Sequence, residues 1–164
     1  MIGAVEYTFA PLTPDDLPTL AGWLREPHVS RWWGAPSDEL SLLAQDLDEP
    51  LMRQWLISIG GIPFAYAQAY PVHVWPQAHF DSFCPESFSI DAFIGAPDML
   101  GQGHGAGLLR ALAQLLLSCG ASIVVFDPDA GNVRACRASR RAGFVLDKIV
   151  DTDGGPLAVM VFRP

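Results

Sequence analysis

The chain has 164 residues, of which 50% are apolar and 17% charged, and it carries a net charge of −8. Its length suits one domain of about 150 residues, and its apolar share excludes disorder, which needs low hydrophobicity and high charge. The acidic balance excludes the basic excess of DNA and RNA binders, and no apolar run approaches the roughly 18 residues that cross a bilayer.

Met1-Ile2-Gly3-Ala4-Val5-Glu6 has no basic region and no long apolar stretch, so no secretory signal is expected. Val5 to Ala10 alternates weakly and predicts a first strand. Thr13-Pro14-Asp15-Asp16 is a helix start. Thr13 can cap, Pro14 suits the first helical position, and the two acids favour the positive helix end. Leu17, Leu20, Ala21 and Leu24 recur at helical spacing. Glu26-Pro27 ends that helix, since a residue before proline avoids helical angles. Ser37-Asp38-Glu39 opens a second, shorter helix through Leu40, Leu43 and Ala44.

Gln54 to Ile59 and Ile62 to Tyr70 read as strands around the turn pair Gly60-Gly61. Pro71 to Phe88 is an irregular stretch, long for a connection in a domain of this size, and such loops are usually functional. Phe88 to Ile94 reads as a buried strand, and Gly95 to Gly103 as a glycine-punctuated loop. His104 to Ser118 is the clearest helix, with Leu108, Leu109, Leu112, Leu115 and Leu116 on one face. Ser122 to Phe126 is a short strand, and Asn132 to Arg141 a basic helix closed by Gly143. Phe144 to Val150 and Leu157 to Phe162 make a last hairpin around Asp153-Gly154-Gly155. This order predicts a mixed α/β fold in a single domain, residues 1–164, with no linker dividing it.

The three cysteines, Cys84, Cys119 and Cys136, form no CxxC pair, which suits reduced thiols in the cytoplasm. The four histidines, His28, His73, His79 and His104, have no metal-ligand spacing, and no metal is expected.

Gly101-Gln102-Gly103-His104-Gly105-Ala106-Gly107 follows a strand and opens the amphipathic helix. Glycines let a ligand approach the backbone, and a helix start leaves N–H groups unpaired, which makes an anion site. No Gly-Lys-Ser/Thr follows, so this is not a P-loop. The loop also comes too late in the chain for a dinucleotide fold. What remains is Gln/Arg-x-x-Gly-x-Gly/Ala on Gln102, Gly105 and Gly107. This pattern resembles the acetyl-CoA loop of the GNAT superfamily of N-acetyltransferases, whose element order is similar along nearly the whole chain.

Within that superfamily the chain most resembles the aminoglycoside 6'-N-acetyltransferases. The resemblance is carried by Pro27-His28-Val29-Ser30-Arg31-Trp32-Trp33-Gly34, Ala65-Tyr66-Ala67-Gln68-Ala69-Tyr70 and Ser89-Ile90-Asp91-Ala92-Phe93-Ile94-Gly95. Asp127 to Ala135, Ala142-Gly143-Phe144 and Asp153-Gly154-Gly155-Pro156 add to it. It implies a mostly antiparallel sheet with a splayed parallel strand pair and flanking helices. It also implies acetyl-CoA as cofactor, a cationic small-molecule amine as partner, and antibiotic resistance as an outcome. A nucleic acid or membrane partner is not expected, and monomer and homodimer both stay open.

The resemblance also distributes roles. Asp91 would stand beside the amine, and Phe93 and Ile94 would line the cofactor. Gln102, Gly103, His104, Gly105, Ala106 and Gly107 would hold its pyrophosphate, and Asn132 would meet its arm. Asp127 would face the substrate, with Trp33 and Gln68 forming pocket walls. Where the family often has a tyrosine acid, this chain has Ser139, which implies a water relay or no general acid. Taken singly, Asp91 reads as a turn cap, Asp127-Pro128 as a turn opener, and Trp32-Trp33 as core. Arg134, Arg137, Arg140 and Arg141 read as a solvated face or as contacts to a CoA phosphate. The alternatives keep the fold with a siderophore-precursor amine or polyamine as acceptor, or make the chain a non-catalytic CoA-binding or sensor domain.

Overall fold

In the computed structural model, which describes residues 4–164, Gly60 and Gly61 take φ of 57° and 80°, the left-handed pair that a two-residue hairpin turn demands. They join β2 (Arg53–Ile59) to β3 (Ile62–Pro71). Met1–Gly3, the start of the stretch read for a secretory signal, lie outside the described residues. Around this hairpin the chain runs β1 (Thr8–Pro11), α1 (Leu17–Leu24), α2 (Pro27–Trp33), α3 (Pro36–Asp46), β2 and β3. It continues through β4 (Phe88–Ile94), α4 (His104–Ser118), β5 (Val124–Phe126), α5 (Val133–Ala142), β6 (Val145–Thr152) and β7 (Gly155–Phe162). The strands form one mixed sheet in the order β1-β2-β3-β4-β5-β7-β6. The pairs β1–β2, β5–β7 and β6–β7 are antiparallel, whereas β4–β5 is parallel.

Three expectations need correction. The first strand starts at Thr8, not Val5, because Thr8 opposite Ser58 is where pairing with β2 begins. Pro27 does not merely end a helix but begins another, α2, since proline fits the first helical position. The helix placed at Ser37 is not the shorter of the two. It starts at Pro36 and runs for 11 residues against 8 in α1.

Backbone contacts divide the chain into two compact units, Met1–Gln68 with Ala92–Gln102 and Ala69–Asp91 with Gly103–Pro164. The core of the first unit gathers Leu20 and Leu24 of α1, Val29 of α2, Leu43 of α3, Leu56, Tyr66 and Phe93. Phe93 is the hub of its rings. Trp33 meets it edge-on at 4.9 Å and Trp23 at 6.5 Å, with Tyr66 tilted at 5.3 Å. A buried polar chain crosses this core. The Gln54 amide donates to the Leu43 carbonyl and to the Tyr66 hydroxyl at 3.0 and 2.9 Å, and that hydroxyl donates to Gln68 Oε1 at 2.7 Å. Satisfying each group in turn removes the cost of burying it.

In the second unit α4 buries Leu108, Leu109, Leu112, Ala113 and Leu116, the face that its leucine spacing predicts. It packs against α5. Gly143 ends α5 at φ 110°, a left-handed cap. Phe126, Phe144 and Phe162 then stack in series at 6.3 and 5.2 Å. No helix among the described residues is long and apolar enough to cross a membrane.

Candidate active site

The parallel pairing of β4 with β5 sets Phe88 opposite Val124, Ser89 opposite Val125 and Ile90 opposite Phe126, and there it stops. The next residue on each side is an aspartate, Asp91 and Asp127. Ile90 and Phe126 point into the core, and alternation along a strand turns Asp91 to the other face. Asp91 is the fourth residue of β4, so it does not cap a turn. A carboxylate inside a strand runs against strand preference.

Tyr70, at the end of β3, responds to both acids. Burial first, then the Asp91 carboxylate, holds its phenol well above the ordinary tyrosine range. Next in size, the Ser89 hydroxyl works the other way, and Asp127 adds a further upward push. Ser89 Oγ is buried and has no full hydrogen bond of its own, while the Gln77 amide donates to the phenol oxygen at 3.3 Å, so both ease ionisation only partly. Tyr70 is therefore a neutral donor at ordinary pH. The sequence reading did not single it out.

His79 is the second residue that reading missed. Its Nε2 donates to Asp127 Oδ2 at 2.8 Å. The two side chains are only 9% and 11% exposed. His79 lies in the irregular segment after β3, as the middle residue of the short 3₁₀ turn Ala78–Phe80. With Gln77 and Ala78 it lines a cavity of about 570 Å³ that Lys148, Asp151 and Asp153 also border. That size falls within the range of small-molecule sites. Three carboxylates, counting Asp127, against one lysine give this region an anionic character suited to a cation. Asp81 and Glu86, the carboxylates of this segment itself, are exposed.

At the glycine loop, Gly103 is the N-cap of α4 in left-handed geometry, φ 85°. The Gly107 amide closes the first helical turn on the Gly103 carbonyl at 3.2 Å. The amides of Gly105 and Ala106 therefore have no acceptor within the helix. With no side chain at 103, 105 or 107, an anion can reach them, and the helix dipole favours it. His104 is half-buried in this first turn.

Asn132 is the N-cap of α5, its Oδ1 accepting from the Ala135 amide at 3.1 Å. Ser139 is fully buried, and its hydroxyl donates to the Cys136 carbonyl at 2.9 Å, back into its own helix. Arg134, Arg137, Arg140 and Arg141 are exposed.

In the other unit, Trp33 is half-buried and packed edge-on against Phe93 and Tyr66. Gln68 is 9% exposed, with Oε1 taken by Tyr66. The Phe93 side chain belongs to the core, which leaves its backbone as the part a ligand can use. The Ile94 carbonyl accepts from His28 Nε2 at 2.8 Å. The Gln102 side chain donates to the Asp98 carbonyl. Among the described residues no group of three or more His, Cys, Asp or Glu could hold a metal ion.

Residues 13–152 match the family model of the acetyltransferase (GNAT) domain. The aminoglycoside N(6')-acetyltransferase type 1 of Klebsiella pneumoniae is 30% identical over 162 residues, covering 92% of this chain and 79% of that protein. The structure of AAC(6')-Ib in complex with paromomycin and acetyl-CoA superposes with a TM-score of 0.83 at 30% identity, over 96% of this chain and 93% of the other. AAC(6')-Ib in complex with coenzyme A and kanamycin gives 0.83 at 29% identity, over 96% and 95%.

Proposed function

Because the chain belongs to the GNAT acetyltransferase family, we propose that it transfers the acetyl group of acetyl-CoA to a primary amine of a cationic small molecule, namely the 6'-amine of an aminoglycoside. The proposal treats residues 1–164 as one catalytic domain. The observation that carries it is the pair Asp91 and Asp127, each one residue past the last paired position of β4 and β5, with Tyr70 in the field of both.

Acyl transfer from a thioester to an amine needs no enzyme nucleophile, because the amine attacks directly. It needs a neutral amine, close approach, and donors for the negative charge that develops. Acetyl-CoA supplies the activated acyl group. The glycine-lined start of α4 fits its pyrophosphate, since the donors there are backbone amides and no side chain intervenes. In this reading Gln102 to Gly107 hold the pyrophosphate, Phe93 and Ile94 contribute backbone, and Asn132 offers its amide while its oxygen caps α5. Asp91 accepts the ammonium proton, directly or through water. Asp127 attracts the cation in the ground state, and Trp33 and Gln68 shape the acceptor side. Ser139 takes no part as an acid, a reading supported by its burial and its bond to Cys136.

Thiol release measured across aminoglycosides, polyamines and hydroxylated amino acids tests the proposal. Turnover with kanamycin above the other classes is the expected result. Turnover confined to a polyamine or a hydroxylated amino acid overturns the acceptor and keeps the reaction. Binding of acetyl-CoA with no turnover of any amine overturns the catalytic reading.

A further inference from the structure

We infer that His79 is a positioning residue that fixes the Asp127 carboxylate toward an acceptor cation without cancelling its charge, so that affinity for the cation rises as the imidazole loses its proton. The inference rests on the proposed contact between Asp127 and the substrate ammonium.

Two restraints hold the imidazole. Its Nε2 donates to Asp127 Oδ2 at 2.8 Å, and its ring lies against the Phe80 ring, with centroids 4.2 Å apart at 60°. Phe80 itself is fully buried, so this support is rigid. With Oδ2 taken, Oδ1 is the carboxylate oxygen left to face a ligand. Lysine or arginine would orient the carboxylate equally well but would neutralise it at every ordinary pH. A neutral imidazole with its proton on Nε2 orients the carboxylate and leaves the full negative charge. Once protonated, it turns the same contact into an ion pair, and the pull on a cation weakens.

The charged and titratable groups around the pair are Asp127 itself, Tyr70 and, beyond the phenol, Asp91. Lys148, Asp151 and Asp153 share the cavity with His79. Because Tyr70 stays neutral at ordinary pH, it adds no charge beside the pair.

The test uses the full chain with His79→Ala and His79→Gln. Glutamine keeps an N–H donor and cannot titrate. With saturating acetyl-CoA, His79→Ala should raise the KM for kanamycin about tenfold or more, the scale of losing a hydrogen bond to a charged group. Its kcat should stay within about threefold of the parent. His79→Gln should recover most of the KM at neutral pH and lack the rise in KM expected of the parent once the imidazole is protonated. A loss confined to kcat, an unchanged KM, or a parent-like pH profile in His79→Gln overturns the inference. Imidazole NMR of the ligand-free protein gives an independent reading. The His79 Nε2–H signal should exchange slowly with solvent in the parent and lose that protection in Asp127→Ala, because the carboxylate at 2.8 Å holds it. Unchanged protection overturns the inference whatever the acceptor. If the parent does not acetylate kanamycin while the protection is lost, the acceptor reading fails and the His79–Asp127 coupling stands.

Discussion

The Tyr70 phenol lies in the field of the Asp91 carboxylate, and after burial that field is the largest influence keeping the phenol protonated. The consequence for stability follows from linkage. The folded chain holds this proton to higher pH than the unfolded chain, which releases it near about pH 10. Stability is therefore fully present below that pH and is lost as the pH rises through it toward the folded value. Tyr70→Phe should lose less stability than the parent between about pH 9 and 11. Denaturant unfolding at both ends of this interval, each referred to neutral pH, makes the comparison. Identical alkaline losses would place the unfavourable ionisation elsewhere.

Asp91 and Asp127 should separate in steady-state kinetics. Asp91→Asn keeps the size and removes the charge, so turnover should fall by roughly 100- to 10,000-fold while acetyl-CoA binding survives. Asp127→Asn still offers His79 an oxygen to donate to, so the local geometry holds. Its effect should fall on the apparent affinity for a cationic acceptor. Wild-type turnover in Asp91→Asn would move the base role to Asp127 or to a water chain.

Gly105→Asp should abolish acetyl-CoA binding in calorimetry. The substitution sets a carboxylate in the first turn of α4, where open amides and the helix dipole favour an anion. Parent-like affinity would remove the pyrophosphate from this loop.

Ser139→Ala should cost less than tenfold in turnover, below about 1.4 kcal/mol of barrier. The Ser139 hydroxyl is fully buried and committed to the Cys136 carbonyl. A hundredfold loss with unchanged stability would assign it the protonation of the leaving thiolate.

Gly95→Ala should destabilise the protein, and Gly22→Ala should not. A Cβ on Gly95 would stand 2.0 Å from the Trp23 ring, which Phe93 meets edge-on, so the ring has to shift. Overpacking of this kind costs about 1–3 kcal/mol. A Cβ on Gly22 in α1 meets nothing within 4 Å, and the helix should gain about 0.5–1 kcal/mol from it. Midpoints of denaturant unfolding decide the sign of each.

Whatever is encoded within a few neighbouring residues is legible in the chain itself. The bounds of α4 follow from leucine spacing between glycines, and β4 from a buried apolar run. The turn at Gly60-Gly61 follows from a backbone geometry that glycine tolerates. The glycine loop points to an anion from its residues alone, and with the element order it carries the family resemblance. The seven-residue α2 escaped because so short a helix shows no full period. Its place is fixed by packing, with Val29 almost fully buried.

Which side chains meet is settled by packing across the whole fold. Forty-eight positions separate His79 from Asp127, and no local pattern links a loop histidine to the residue after a distant strand. Packing also took Phe93 and Trp33 into a ring cluster, although the family resemblance set Phe93 along the cofactor and Trp33 in the pocket wall. The register of Ile90 with Phe126 determines where Asp91 and Asp127 emerge. Periodicity and turn chemistry act through bonds a few residues apart, whereas a register is chosen by the burial and hydrogen bonding of whole strands at once.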